Sequence, residues 1–200
     1  RITLSNPSDY ENILKKQGKV IVDFDQRQEL IRQQINSAAE KTGGQAVIDP
    51  ELLDEVTSMI EWPSVIVGEF EAHFLDVPSE ALISAMKKHQ KYFHIVDKQS
   101  QLMPYFITIS NIDSSDPKQI KEGNERVIRP RLSDANFFWS QDKKNPLETL
   151  SERLKSVVFQ DKLGSVYDKS QRVSHLAEFI AIKLQADANL AKRAAQLAKC

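Results

Sequence analysis

The sequence predicts an α+β fold, an antiparallel sheet with helices over residues 1–145, followed by an all-helical segment over residues 146–200. Apolar runs rich in β-branched and aromatic residues lie at Val65 to Phe70, Tyr92 to Val96 and Tyr105 to Ile112, and stretches of helical periodicity separate them. After Pro117 the sequence becomes charged and helical, with no further strand signal.

Val20 to Phe24 form a short apolar run, and the helix after it spans Arg27 to Thr42, with Leu30, Ile31, Ile35, Ala38 and Ala39 on one face. Gly43 and Gly44 stop it. Asp49 and Pro50 offer an N-cap and a first-turn proline for a second helix whose apolar positions are Leu52, Leu53, Val56, Met59 and Ile60. Trp62 and Pro63 end that helix, and the strand from Val65 follows. Ser79 caps a third helix, Glu80 to His89. Tyr92 to Val96 and Tyr105 to Ile112 flank the polar link Asp97 to Gln101, which predicts an antiparallel hairpin covered by two helices. Asp116 and Pro117 open the helical region, and Asn145 and Pro146 mark a domain boundary. Beyond it Leu147, Leu150, Leu154, Val157 and Val158 fall at helical spacing, as do Val173, Leu176, Ala177, Ile180 and Leu184. Leu190, Ala194 and Leu197 put an apolar stripe on a last helix, Ala186 to Cys200.

At 40% hydrophobic and 28% charged residues, the chain belongs to the soluble globular class. It has no apolar run of transmembrane length and no secretory leader pattern, so a cytoplasmic fragment of a longer protein is expected, with no membrane partner. The single cysteine, Cys200, allows no internal disulfide, and no Cys/His spacing suits zinc, so no metal is expected. The net charge of −1 hides an asymmetry: residues 1–100 hold 11 Lys/Arg against 16 Asp/Glu, whereas residues 101–200 hold 16 against 12. A basic half leaves room for a local RNA footprint, although ordinary domains vary by as much.

Catalytic patterns are missing from the sequence: it has no glycine-rich phosphate loop, nucleophile elbow or His-Glu-x-x-His helix. His73, His89, His94 and His175 lack partners at ligand spacing, which fits surface or strand positions. Two basic groups stand out. Lys87, Lys88 and Lys91 close the third helix, where cations also favour a helix C-terminus without any ligand. Arg126, Arg129 and Arg131 lie within six positions, Arg126 and Arg129 sharing a face and Pro130 bending the path before Arg131. Guanidinium forks suit phosphate, yet Glu122, Glu125 and Asp134 are near enough for structural ion pairs.

The strings Met86 to Phe93, Phe106 to Asn111, Gly123 to Ala135 with Phe137 and Phe138, Phe159 to Gly164, and Asp168-Lys169 with Arg172 resemble the β-subunit of bacterial α2β2 glycyl-tRNA synthetase. Glu61-Trp62-Pro63 and Phe74 to Pro78 match the same family, so the resemblance spans nearly the whole chain. It implies a mixed α/β region related to the phenylalanyl-synthetase B3/B4 module, followed by the truncated start of an HD-like helical domain. In that family the α-subunit activates glycine with ATP and Mg2+, while the β-subunit handles tRNA. The implied partners are the α-subunit, tRNA(Gly) and a second β-subunit; the chain alone would be inactive, with no catalytic residue and no cofactor of its own. Lys87, Lys88, Lys91, Arg126, Arg129 and Arg131 are the candidate RNA-binding residues. The rival readings are an HD-type phosphohydrolase fragment, for which the chain lacks a His-Asp dipeptide, and a structural scaffold that joins subunits.

Overall fold

A computed structural model describes residues 2–200 and divides the chain into two compact units, one extending to Phe138 and one from Trp139 to Cys200. In the first unit a short helix α1 (Tyr10–Ile13) and one π turn (Leu14–Gly18) precede α2 (Phe24–Lys41). The expected Arg27 start is three residues late. Asp23 supplies the N-cap instead, its carboxylate accepting from the Gln26 N–H at 2.6 Å, so the apolar run before it ends in a cap. Next come β1 (Gln45–Ala46), α3 (Pro50–Met59), β2 (Ser64–Glu69), α4 (Ser79–Gln90), β3 (Phe93–Val96), β4 (Leu102–Ser110) and α5 (Pro117–Asp142). Asp49 caps α3 as its sequence position predicts, accepting from the Leu52 N–H at 3.1 Å. Ser79 departs from its expected role: it is the first residue of α4, Pro78 holds the cap position, and the serine hydroxyl reaches the Glu80 carboxylate.

The predicted hairpin is present, and the sheet order is β1-β3-β4-β2 with every pairing antiparallel. Asp97 builds its tip by accepting from the N–H groups of Gln99 and Gln101, at 2.8 and 2.9 Å. Alternation along β4 sorts the core into two layers. Ile107 and Ile109 join Phe93 and Ile95 beneath α2 and α3, where Ile31, Ile35, Leu52, Leu53 and Val56 are buried. Phe106 points the other way, into a second core with Tyr92, Leu82 and Met86, and with Ile128 and Leu132 of α5. Helices therefore cover both faces, two on each, rather than two in all. Met59, expected among the apolar positions of α3, is instead half exposed.

Gly68 faces Phe106 across β2 and β4. A Cβ at Gly68 would sit 2.6 and 2.7 Å from the two Cε atoms of the Phe106 ring, so only glycine lets the ring lie flat on the strand. On its other side Phe106 stacks with Tyr92, the ring centroids 4.5 Å apart and the planes 14° from parallel.

The second unit is not all-helical. After the end of α5 it contains α6 (Leu147–Leu150), a 3-10 turn (Ser151–Ser156), a hairpin of β5 (Val158–Gln160) and β6 (Gly164–Ser165), then α7 (Val166–Lys183) and α8 (Ala188–Leu197). The periodicity of Leu147 to Val158 thus does not make one helix. Val157, Val158 and Phe159 favour extended backbone, and Gly164, at φ 80°, lets the chain reverse. Strands this short are too brief to leave an alternating signal. Ser165 and Asp168 form a capping box that opens α7. In α7 the buried residues are Ser170, Ser174 and Ala181, while Val173, Leu176, Ile180 and Leu184 of the predicted apolar face are exposed and Ala177 is half-buried. Small residues let α8 approach closely: the Ser174 hydroxyl donates to the Lys192 carbonyl, and Lys192 pairs with Glu178 at 2.8 Å.

Candidate nucleic-acid interface

The first basic group sits where α4 meets α3. Lys91, in the left-handed region at φ 59°, ends α4, its N–H donating to the Lys87 carbonyl. Lys87 Nζ donates to Asp49 Oδ2 at 2.5 Å, and Lys91 Nζ lies 2.7 Å from Glu55 Oε1. Asp49 thus caps α3 and holds Lys87 at once. The hydrogen bond from Lys87, joined by the Leu52 N–H, moves the Asp49 pKa below its ordinary value, and the Lys87 pKa rises in return. Lys88 is exposed and has no ion-pair or hydrogen-bond partner among the described residues.

The second group is divided by the geometry of α5. Lys121, the adjacent pair Asn124 and Glu125, Ile128 and Leu132 fall on one side of the helix at helical spacing and form the seam that docks it. The Tyr92 hydroxyl donates to Asn124 Oδ1 at 2.6 Å, and the Asn124 amide donates to the Ile120 carbonyl. Glu125 accepts from the Glu69 N–H at 3.0 Å, while Lys121 bridges the carboxylates of Glu69 and Glu125, which raises its pKa. Arg129 Nε lies 2.5 Å from Glu71 Oε1. The Glu71 pKa is lowered first by a hydrogen bond from its own N–H and then by Arg129.

Arg126 and Arg131 remain exposed, without ion-pair or hydrogen-bond partners among the described residues. At about 100° per residue, Arg129 is turned roughly 60° from Arg126 toward Glu71, and Arg131 sits roughly 140° round the other way. The helix continues through Pro130. Pro130 lies on the exposed side, where water can satisfy the Arg126 carbonyl that loses its helical donor. The six candidates thus separate into three that brace neighbouring elements, Lys87, Lys91 and Arg129, and three that are uncommitted, Lys88, Arg126 and Arg131.

Nothing in the local sequence identifies these braces, because Asn124 is 32 residues from Tyr92 and Glu125 is 56 from Glu69. Among the described residues no group of three or more His, Cys, Asp or Glu could hold a metal ion. His94 is half-buried on β3, its pKa lowered by burial and then by the Lys87 charge, and His73 packs on Phe74. Among the described residues no helix is long and apolar enough to cross a membrane.

Burial pushes the Tyr92 pKa up to about 12. The unfolded phenol ionises near its ordinary value of about 10, so the stabilisation is intact below that pH and is lost as pH rises toward 12. Chemical denaturation of wild type and Tyr92→Phe from pH 8 to 12 should give curves that converge at the alkaline end; parallel curves would contradict the burial of this hydroxyl.

The chain matches the family model described as "Glycyl-tRNA synthetase beta subunit" over residues 1–200. It is 54% identical over 198 residues to the glycine–tRNA ligase beta subunit of Hahella chejuensis, covering 99% of this chain and 29% of that relative. The beta subunit of Marinobacter nauticus is 56% identical over 199 residues, with coverage of 99% and 29%. That of Pseudomonas putida is 52% identical over 199 residues, with coverage of 100% and 29%. The chain spans less than a third of the length of these relatives. A match along its whole length places the chain in the glycyl-tRNA synthetase β-subunit family.

Proposed function

We propose that this chain serves glycyl-tRNA synthesis as the part of the β-subunit that helps hold tRNA(Gly), while the α-subunit activates glycine with ATP and Mg2+ in a cytoplasmic α2β2 enzyme. The observation that carries this reading is the exposure of Arg126 and Arg131 on α5, beside an Arg129 already committed to Glu71. Unpaired guanidinium groups on a rigid helix offer preformed forks for phosphate oxygens. Lys88 adds a third uncommitted cation. In keeping with the resemblance, the sheet unit is read as a B3/B4-like module and the helices after it as the start of an HD-like domain. A subunit-joining role for the second unit is supported by Leu176, Phe179 and Ile180, which stand exposed along α7. The phosphohydrolase alternative gains no support from the family or from the acidic residues described.

Arginine-directed modification of the complete enzyme with phenylglyoxal, mapped by mass spectrometry, tests the RNA role. Bound tRNA should protect Arg126 and Arg131 several-fold and leave Arg129 unchanged. Equal modification with and without tRNA would remove the assignment.

A further inference from the structure

The exposed side of α5 carries more than charge. Arg126, Pro130, Ser133 and Phe137 follow one another at steps of three or four residues, and Val127, Arg131, Asp134 and Phe138 do the same one residue later. All eight are exposed, Phe137 and Phe138 to 57% and 62%. On a helix these spacings make two adjacent rows, each with an arginine followed, along about 10–17 Å of axis, by a phenylalanine. The two rings meet edge to face, their centroids 5.5 Å apart. Within the same helix Ile128 and Leu132 supply the buried contacts, so these rings are not what docks α5 on the sheet.

We propose that this face is a stacking platform for unpaired nucleotides of the bound RNA, a reading that rests on the tRNA role given above and specifies which part of the RNA is held. Charge complementarity identifies the occupant: Arg126 and Arg131 meet phosphates, and Phe137 and Phe138 offer π-faces to bases that are free of a duplex stack. A-form duplex presents phosphates and 2′-hydroxyls but no free base face, so it would use the arginines and leave the rings idle. Asp134, between the rings and Arg131 in its row, is an acceptor that a base amino group can reach and a phosphate avoids.

Phe137→Leu and Phe138→Leu, singly and together in the complete enzyme, keep the surface apolar and remove the π-face. Three readouts are compared with those of Arg126→Ala/Arg131→Ala: tRNA affinity at several salt concentrations, melting temperature, and association with the α-subunit. The leucine variants should weaken tRNA binding at least about fivefold for each base that stacks, with the salt slope, melting temperature and subunit association unchanged. Ultraviolet crosslinking should join tRNA to the peptide holding Phe137 and Phe138 at an unpaired nucleotide. Unaltered tRNA affinity in the leucine variants, beside arginine variants that flatten the slope, would overturn the platform and leave the RNA role standing. Loss of subunit association or of melting temperature would instead identify the rings as a protein contact and also overturn it. Arginine and phenylalanine variants that all bind tRNA like wild type would remove both readings.

Discussion

Phe106→Ala should destabilise the sheet unit by about 3–5 kcal/mol, because it removes a fully buried ring from the core between the sheet and α4 and α5. The ring lies against Gly68 on one side and stacks on Tyr92 on the other, so its loss opens a cavity that neither the strand backbone nor the stacked ring can fill without moving. Gly68→Ala should also destabilise, by about 1–3 kcal/mol, since its new methyl group collides with the ring. The two changes are not independent. Once Phe106 is alanine, the ring atoms nearest to the methyl group at position 68 are gone, and the cost of Gly68→Ala should largely vanish. A double-mutant cycle read by urea denaturation measures this coupling. Additive costs would mean that Phe106 does not lie over Gly68.

The parts of this fold that were legible in the sequence are those whose causes are local. The β3–β4 hairpin follows from two apolar runs and a polar link, and the start of α3 follows from Asp49 and Pro50. Structure built from distant partners was not legible. The two-residue strand β1 exists because Gln45 and Ala46 pair with Val96 and Ile95, some fifty residues on, and no two-residue run carries a period. The β5–β6 hairpin was hidden because Leu150, Leu154, Val157 and Val158 mimic a helical stripe. In α7 the period was right and the buried face was not, since Ser170, Ser174 and Ala181 pack inward where hydrophobicity alone favoured Leu176 and Ile180.

The candidate site divides along the same line. Composition alone flags Arg126, Arg129 and Arg131 as a cluster, and spacing alone pairs Arg126 with Arg129. Glu71, 58 residues from Arg129, separates them, and Asp49 and Glu55 likewise engage Lys87 and Lys91 from another helix. Exposed ion pairs of this kind are worth at most about 1 kcal/mol each, so they orient α4 and α5 rather than hold the fold together. What they leave free on α5 is a pair of arginines on a helix that the buried seam keeps in place.

The most direct test of the tRNA role is the salt dependence of tRNA binding by the complete enzyme with Arg126 and Arg131 replaced by alanine, singly and together. Each phosphate contact releases counterions, so each replacement should flatten the slope of log affinity against log salt by roughly 0.7–0.9, and the two should add. For a fourfold change in salt this is about a threefold difference in affinity per contact, or roughly tenfold for the pair. Melting temperatures should stay at the wild-type value, because neither side chain is buried or paired. Arg129→Ala, which breaks the Glu71 pair, should leave the slope as it is. A reduced melting temperature with an unchanged slope in the Arg126 and Arg131 variants would contradict the account and make these arginines structural.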